Sequence, residues 1–447
     1  MNTVTHHPSE KGQVLVLVVL AVVALLGFTA LAVDGSMLYS DRRFAQNGAD
    51  ASSLAGGGKA ALILDSTMHY NNWNNCTNSS IAPAATAARV AAAVRAGDNG
   101  FVLNANDQNL SDLHGVTTQC GTDTSSGWPD NYLDVRVMLT KDTPASFSQL
   151  IFNGPLRNTV EAVTRVRPRM DYAYGYAIVA LREDCPNSQT GGVHYDGNQT
   201  LFVTNGGIFS NACMIKSGGV SVDVNPPNEG IDCIGASCYV DNGTSGYVNP
   251  APSQGPAVIP RSAWEVPPPD CSSVPDRGSH TGDGTIQPGR YTQIQVHAAG
   301  EHLIMQPGLY CVSGGVTFNG GEIEGYGVTI YLTGGDFNTA GNITINLTAP
   351  DANNCGFCPP PIPGVLIYLA EGNTGEVSLL GDSVSDYYGM VYAPNGTIEV
   401  GGGSSLLAQI HTQLIGDTVF LHGNTVININ FDDGNNAEIP TRLELYR

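Results

Sequence analysis

The chain has 447 residues, 40 acidic against 19 basic, for a net charge of −21, and only 13% of its residues are charged. That length suffices for two or three domains with sizeable cores. So acidic a chain repels a phosphate backbone, which excludes nucleic acid as a partner, and low charge with 54 glycines points to many short strands and turns.

Residues 1–12 form a short polar leader, read as cytoplasmic. From Val14 to Val33, through Leu20 and Leu26, the chain carries no charge and only Thr29 as a hydrogen-bonding side chain. At ~1.5 Å per helical residue this run spans ~30 Å, the thickness of bilayer hydrocarbon. Backbone polar groups in hydrocarbon must pair within the segment, so the run predicts a transmembrane helix over 13–34. Two other readings compete. A buried core helix rarely runs this long without a polar face. A cleaved secretory signal has an apolar region of only ~7–15 residues, although Ala30-Leu31-Ala32 offers a small-x-small site.

Residues 35–175 read as a helix followed by a small α+β module. Met37 to Leu64 carries small and apolar residues in helical company, Leu38, Phe44, Ala45, Ala49, Leu54 and Ala55, and reads as a helix leaving the membrane with one face packed on protein. An Ala-rich helix starting at Ala82 ends at Gly97 as its C-cap. Leu133, Val135, Val137 and Leu139 alternate as in a half-buried strand, and so do Val160, Ala162, Thr164 and Val166. Between them Phe147, Leu150 and Ile151 suggest a short helix.

Gly12-Gln13, the apolar span, Val33-Asp34-Gly35, Leu38-Tyr39, Gln46, and Ala49-Asp50-Ala51 through Leu54-Ala55-Gly56 together resemble the N-terminal module of TadE/TadG-like proteins of tight-adherence (Flp) pilus assembly. The resemblance covers residues 10–60 well, extends loosely to about 175, and covers none of the C-terminal half. It implies a single-pass membrane protein with its bulk outside the cytoplasm. It also implies pilin-like or pilus-assembly membrane proteins as partners, met through Val14 to Leu54, with membrane lipid around the anchor. Type IV prepilins carry a Glu five residues after their cleavage site; Leu17 stands at that position after Gly12, which argues for a retained anchor. The flanking cations Lys11, Arg42 and Arg43 lie on both sides of the span, so charge gives no orientation.

Ten cysteines lie beyond the anchor: Cys76, Cys120, Cys185, Cys213, Cys233, Cys238, Cys271, Cys311, Cys355 and Cys358. An even number after an export segment predicts structural disulfides in an oxidising compartment and so places this part outside. Proximity suggests Cys233–Cys238 and Cys355–Cys358 as local clips; the remaining connectivity stays open.

Residues 176–284 hold short apolar bursts and then a Pro-rich excursion, where proline density rules out interior helix or strand. Residues 285–434 hold strand-sized bursts cut by Gly and Asn. Gln287-Pro-Gly-Arg-Tyr291 recurs as Gln306-Pro-Gly-Leu-Tyr310. A period near 20 with short β bursts predicts a solenoid, a parallel β-helix, with a β-sandwich as the alternative. Residues 435–447 read as a C-terminal tail.

No catalytic, cofactor or metal motif emerges. Lysine is absent after residue 217 and arginine is sparse, so a site for cleaving polyanions lacks its basic partners. Cys355-Gly-Phe-Cys358, followed by prolines, reads as structural, and the histidines show no close ligand spacing. The expectation is a membrane-anchored pilus-assembly or pilus-associated surface protein, structural or adhesive rather than enzymatic, contacting a surface glycan or a host or abiotic surface. The alternative is a surface-tethered carbohydrate-active or glycan-binding β-helix.

Overall fold

The structure, a computed structural model, describes residues 13–446 apart from 67–72, 74, 111–112, 147–153, 186–190, 226–229, 262–264, 342, 352–361, 381–384 and 403–407. The chain divides into two compact units. One comprises Met1–Ser125, Pro129–Arg169 and Pro440–Arg447; the other comprises Ser126–Trp128 and Met170–Ile439.

The first unit is built on helix α1 (Gln13–Asp65), which runs unbroken for 53 residues. Its apolar N-terminal part is exposed. Its second part buries Ala45, Ala49, Ser52, Ser53, Ala60 and Leu64, a helical stripe that packs on α2 (Ala82–Asp98) and on a sheet. The sheet is antiparallel, with strands β1 (Gly115–Asp123), β2 (Asp130–Thr143) and β3 (Leu156–Arg167). Leu133, Val135, Val137 and Leu139 are all fully buried, and Val160, Ala162, Thr164 and Val166 nearly so, as the alternation predicts. The segment read as a tail supplies a fourth strand, Arg442–Tyr446, antiparallel to the free edge of β3. Gly97 does not cap α2: Asn99 is the C-cap, and Gly100, at φ +79°, takes the left-handed turn that lets the Phe101 N–H reach Ala96 O. The short helix expected around Phe147, Leu150 and Ile151 lies outside the described residues.

The second unit consists mostly of strands in parallel sheets. Among the described residues one sheet holds ten strands, every neighbour parallel. Partners recur at the predicted spacing: Leu303 pairs with Ile323, and Ile323 with Ile345. One buried ladder runs Met305, Gly325, Leu347, Tyr387, Ile410, Ile429, Val203, Val224. Each strand leaves its apolar row open above and below, and stacking closes it. Gly325 is there for space, since a Cβ would lie 2.9 Å from Leu347 and 3.1 Å from Met305. The two Gln-Pro-Gly-x-Tyr copies do the same job. Tyr291 OH donates to Gln287 O and Tyr310 OH to Gln306 O, each at 2.7 Å, and the two rings stack.

The division expected at residue 284 falls inside this unit. Strands from the expected 176–284 region sit on the last strands of the chain: Leu201 beside Ile427, and Val193 beside Val419. The chain therefore begins in the middle of the stack, builds one way to Val248–Asn249, crosses to the far end at Asp276–Thr281, and winds back to meet its own start. The crossing is the Pro-rich excursion, an ordered strap. Ile259 exchanges backbone hydrogen bonds with the Asn211 amide at 2.7 and 2.8 Å, Arg261 pairs with Asp417, and Tyr368 OH donates to Val266 O at 2.6 Å.

Disulfides join Cys76 to Cys120, Cys185 to Cys213, Cys233 to Cys238, and Cys271 to Cys311. Cys233–Cys238 is the expected local clip, and Cys271–Cys311 fastens the end of the strap. Cys355 and Cys358 lie outside the described residues.

Candidate functional site

The exposed half of α1 and the collar of protein just beyond it form the candidate site. Val14, Leu20 and Leu26 are 64%, 60% and 63% exposed, and Val33, where the collar begins, 37%. Water penalises a bare apolar helix of this length, whereas hydrocarbon does not. Thr29 Oγ1 donates back to Leu25 O at 2.8 Å, so the span's hydroxyl is satisfied within the helix. The burial pattern changes at Asp34, which is only 4% exposed and accepts the Ser146 N–H at 3.0 Å.

Beyond Asp34 the helix is clasped by its own domain. Asn158 Nδ2 donates to Leu38 O, Thr143 Oγ1 to Asp41, and Thr164 Oγ1 to Ser53 Oγ. Gln46 Nε2 reaches both Asp50 Oδ1 at 2.8 Å and Glu161 O at 3.1 Å, joining the helix to β3. Small residues set the closeness. A Cβ on Gly56 would lie 2.8 Å from Ala88 O, and one on Gly57 2.5 Å from Thr164 Cγ2.

Residues 12–61 match a family model described as putative Flp pilus-assembly TadE/G-like. The match covers the N-terminal module, and the C-terminal half carries no family match. Comparison of the chain with curated proteins and with solved structures gives no match.

Within the Tad module the structure sorts the motif residues by role. Asp34 and Gln46 tie the helix to the collar, Asp50 holds the Gln46 amide from within the helix, and Gly56 and Gly57 admit α2 and β3. Gly35 has open space around it, while Tyr39 and Leu54 are exposed. Gly12 and the Gln13 side chain lie outside the description. Replacing Gly57 by Val is expected to cost about 1–3 kcal/mol through overpacking against Thr164. A fall in the denaturation midpoint of the detergent-solubilised chain measures it.

Two side-chain clusters on the parallel-stranded unit escaped the sequence reading. Glu376 hydrogen-bonds to Glu399, whose Oε1 lies 2.5 Å from His422 Nε2; the Glu376 N–H bonds to Asp336. The spacing is the signal that could have found them: Glu376, Glu399 and His422 are each 23 residues apart, one strand repeat of 21 plus two positions along the strand, which keeps them diagonally on one face. His422 supplies the basic partner that a count of Lys and Arg overlooks. The hydrogen bond to Glu399, burial and the Glu399 charge push the Glu376 carboxyl up to about 7. Burial works against ionised Glu399, yet the hydrogen bonds from Glu376, His422 and Ser378 and the charge of His422 outweigh it and hold that carboxyl below its ordinary value. The second cluster brings the ligand atoms of His302, Glu322 and Glu324 within 4.8 Å of one another on two neighbouring strands. An imidazole with two carboxylates is a donor set suited to a divalent cation.

The Glu376 shift has a consequence for stability. The folded state keeps its proton between the unfolded value near 4.3 and about 7, so the stabilisation is complete below that window and lost as pH rises through it. Because Glu376 is exposed, screening reduces the effect to about 1 kcal/mol. Denaturation midpoints measured at pH 5 and pH 8 in the native chain and in Glu376→Gln check this: the variant is expected to lose about that much of the pH 5 advantage.

Proposed function

We propose that this protein is a single-pass, membrane-anchored component of tight-adherence pilus assembly that displays its parallel-stranded unit outside the cell as a structural or adhesive head. The observation that carries the reading is one uninterrupted helix. Its first 20 or so residues are bare and apolar, and the whole of it from Gln13 to Ala61 falls within the Tad match. Four disulfides support an oxidising compartment for everything beyond the anchor. The head is a β-helical solenoid in this reading, supported by the recurrence of parallel partners about every 20 residues. Such a head presents rows of side chains on flat faces, and its role is display, not turnover. Its partners are pilin-like membrane subunits, met through the anchor and collar.

Mass spectrometry of the native N-terminus, in membranes and in sheared pili, tests the reading. Chains that keep the residues before Gly12, found in membranes and co-isolating with pili, support it. A mature start near Ala32 or Asp34 in the medium, or thiols that are all reduced, refutes it.

A second reading is a glycan-handling surface, supported by Glu376, Glu399 and His422 lying on neighbouring strands with Asp336 beside them at the start of the next. Binding or cleavage on a glycan array that is lost in Glu399→Gln would favour it over display alone.

A further inference from the structure

We infer that the collar holds the phosphate of an anionic phospholipid in the leaflet next to Val33. The inference rests on the membrane reading of Val14 to Val33. A cavity of about 630 Å³ opens beside α1, lined by Tyr39, Arg42, Arg43, Gln46, Glu161 and Tyr446 among others. The one acidic wall residue among the described residues, Glu161, is already held in a two-pronged pair by Arg136, at 2.6 and 2.9 Å. Arg42 and Arg43 are exposed, and no carboxylate among the described residues pairs with them. By contrast Arg157, Arg165 and Arg167, on the same sheet, each hold an aspartate. Two guanidinium groups without a carboxylate partner line one cavity, Arg43 over the ring of Tyr39 at 5.8 Å, and in a chain of net charge −21 they mark a place built for an anion.

Position names the anion. Arg42 is nine residues past Val33, so its Cα stands about 14 Å beyond the hydrocarbon along the helix, while the headgroup layer is about 5–8 Å deep. Helical side chains lean toward the N-terminus, here toward the bilayer, and long arginine arms reach further that way. This brings the guanidinium groups back to the level of the lipid phosphates. Tyr39, three residues nearer the membrane and 63% exposed, is placed for the interface that tyrosine favours. Guanidinium forks match phosphate oxygens two at a time, and Tyr446 lines the same cavity.

Native mass spectrometry of the full chain in detergent, titrated with phosphatidylglycerol and separately with phosphatidylcholine, tests the inference. The wild-type chain is expected to retain phosphatidylglycerol selectively. Arg42→Gln with Arg43→Gln is expected to reduce that retention about thirty-fold, and Arg42→Lys with Arg43→Lys to keep most of it. Arg157→Gln, which removes a paired arginine from the same sheet, is expected to change nothing. Equal retention of both lipids, or a double Gln variant that binds like wild type, overturns the inference. So does displacement by inorganic phosphate with no preference among lipids. A chain that never enters the membrane fraction fails the membrane reading instead, and shows this before any lipid is added.

Discussion

Leu26→Arg is expected to shift the chain out of the carbonate-resistant membrane fraction. Leu26 lies inside the bare part of α1 at 63% exposure, with no protein side chain to accept a charge. A guanidinium at that depth costs about 3 kcal/mol on insertion scales, where leucine contributes about −0.5. The combined change corresponds to a fall of two orders of magnitude or more in the inserted fraction. The same substitution at Leu54, also exposed but 28 residues further along the helix and beside the collar, is expected to leave the fraction unchanged. If both variants stay in the membrane, the exposed run is not what holds the chain there. If both leave it, the loss reflects misfolding rather than insertion.

Breaking the strap's fastening is expected to have the next largest effect. Cys271 and Cys311 are 40 residues apart, and a cross-link closing a loop of that length restricts the unfolded chain by about 4 kcal/mol on the chain-entropy account. The double variant Cys271→Ser, Cys311→Ser is expected to lose about 2–4 kcal/mol, read as a lower denaturation midpoint, and to gain protease cleavage between residues 255 and 275. Cys233–Cys238 closes a loop of only 5 residues, and removing it is expected to matter less. An unchanged cleavage pattern would show that the strap is held by its hydrogen bonds to Asn211 and Tyr368 rather than by the disulfide.

Particular residues show how far the chain was legible beforehand. The alternation through Leu133, Val135, Val137 and Leu139 announced its strand because a half-buried strand needs nothing but its own period of two. The two Gln-Pro-Gly-x-Tyr copies were visible because each tyrosine bonds within its own turn, to a carbonyl four residues back. The C-cap of α2 falls at Asn99, two residues past the expected Gly97, because both Gly97 and Gly100 can close a helix and the choice was made by where Phe101 had to be buried. The strand at Arg442–Tyr446 was read as a tail because its side chains are exposed. What makes it a strand is the open edge of β3, which lies 275 residues earlier. The Glu376, Glu399 and His422 group, and the Arg42, Arg43 and Tyr446 wall, depend on residues that have no local relation to one another.

Three things were determined by the sequence alone: a helix long and apolar enough to cross a membrane, the Tad motif it carries, and a β repeat near 20 residues. Each rests on a property that acts within a few turns of chain: the cost of wetting an apolar run, the fit of small residues on one helical face, and a period. The tertiary structure alone decided the order of the stack. Strands of equal period and similar apolar rows can pair with one another in many orders, so the repeat does not say that the chain starts in the middle and returns by a strap. That choice falls to the few long-range contacts that differ from strand to strand, among them the Arg261–Asp417 pair, the Ile259–Asn211 hydrogen bonds and the Cys271–Cys311 link.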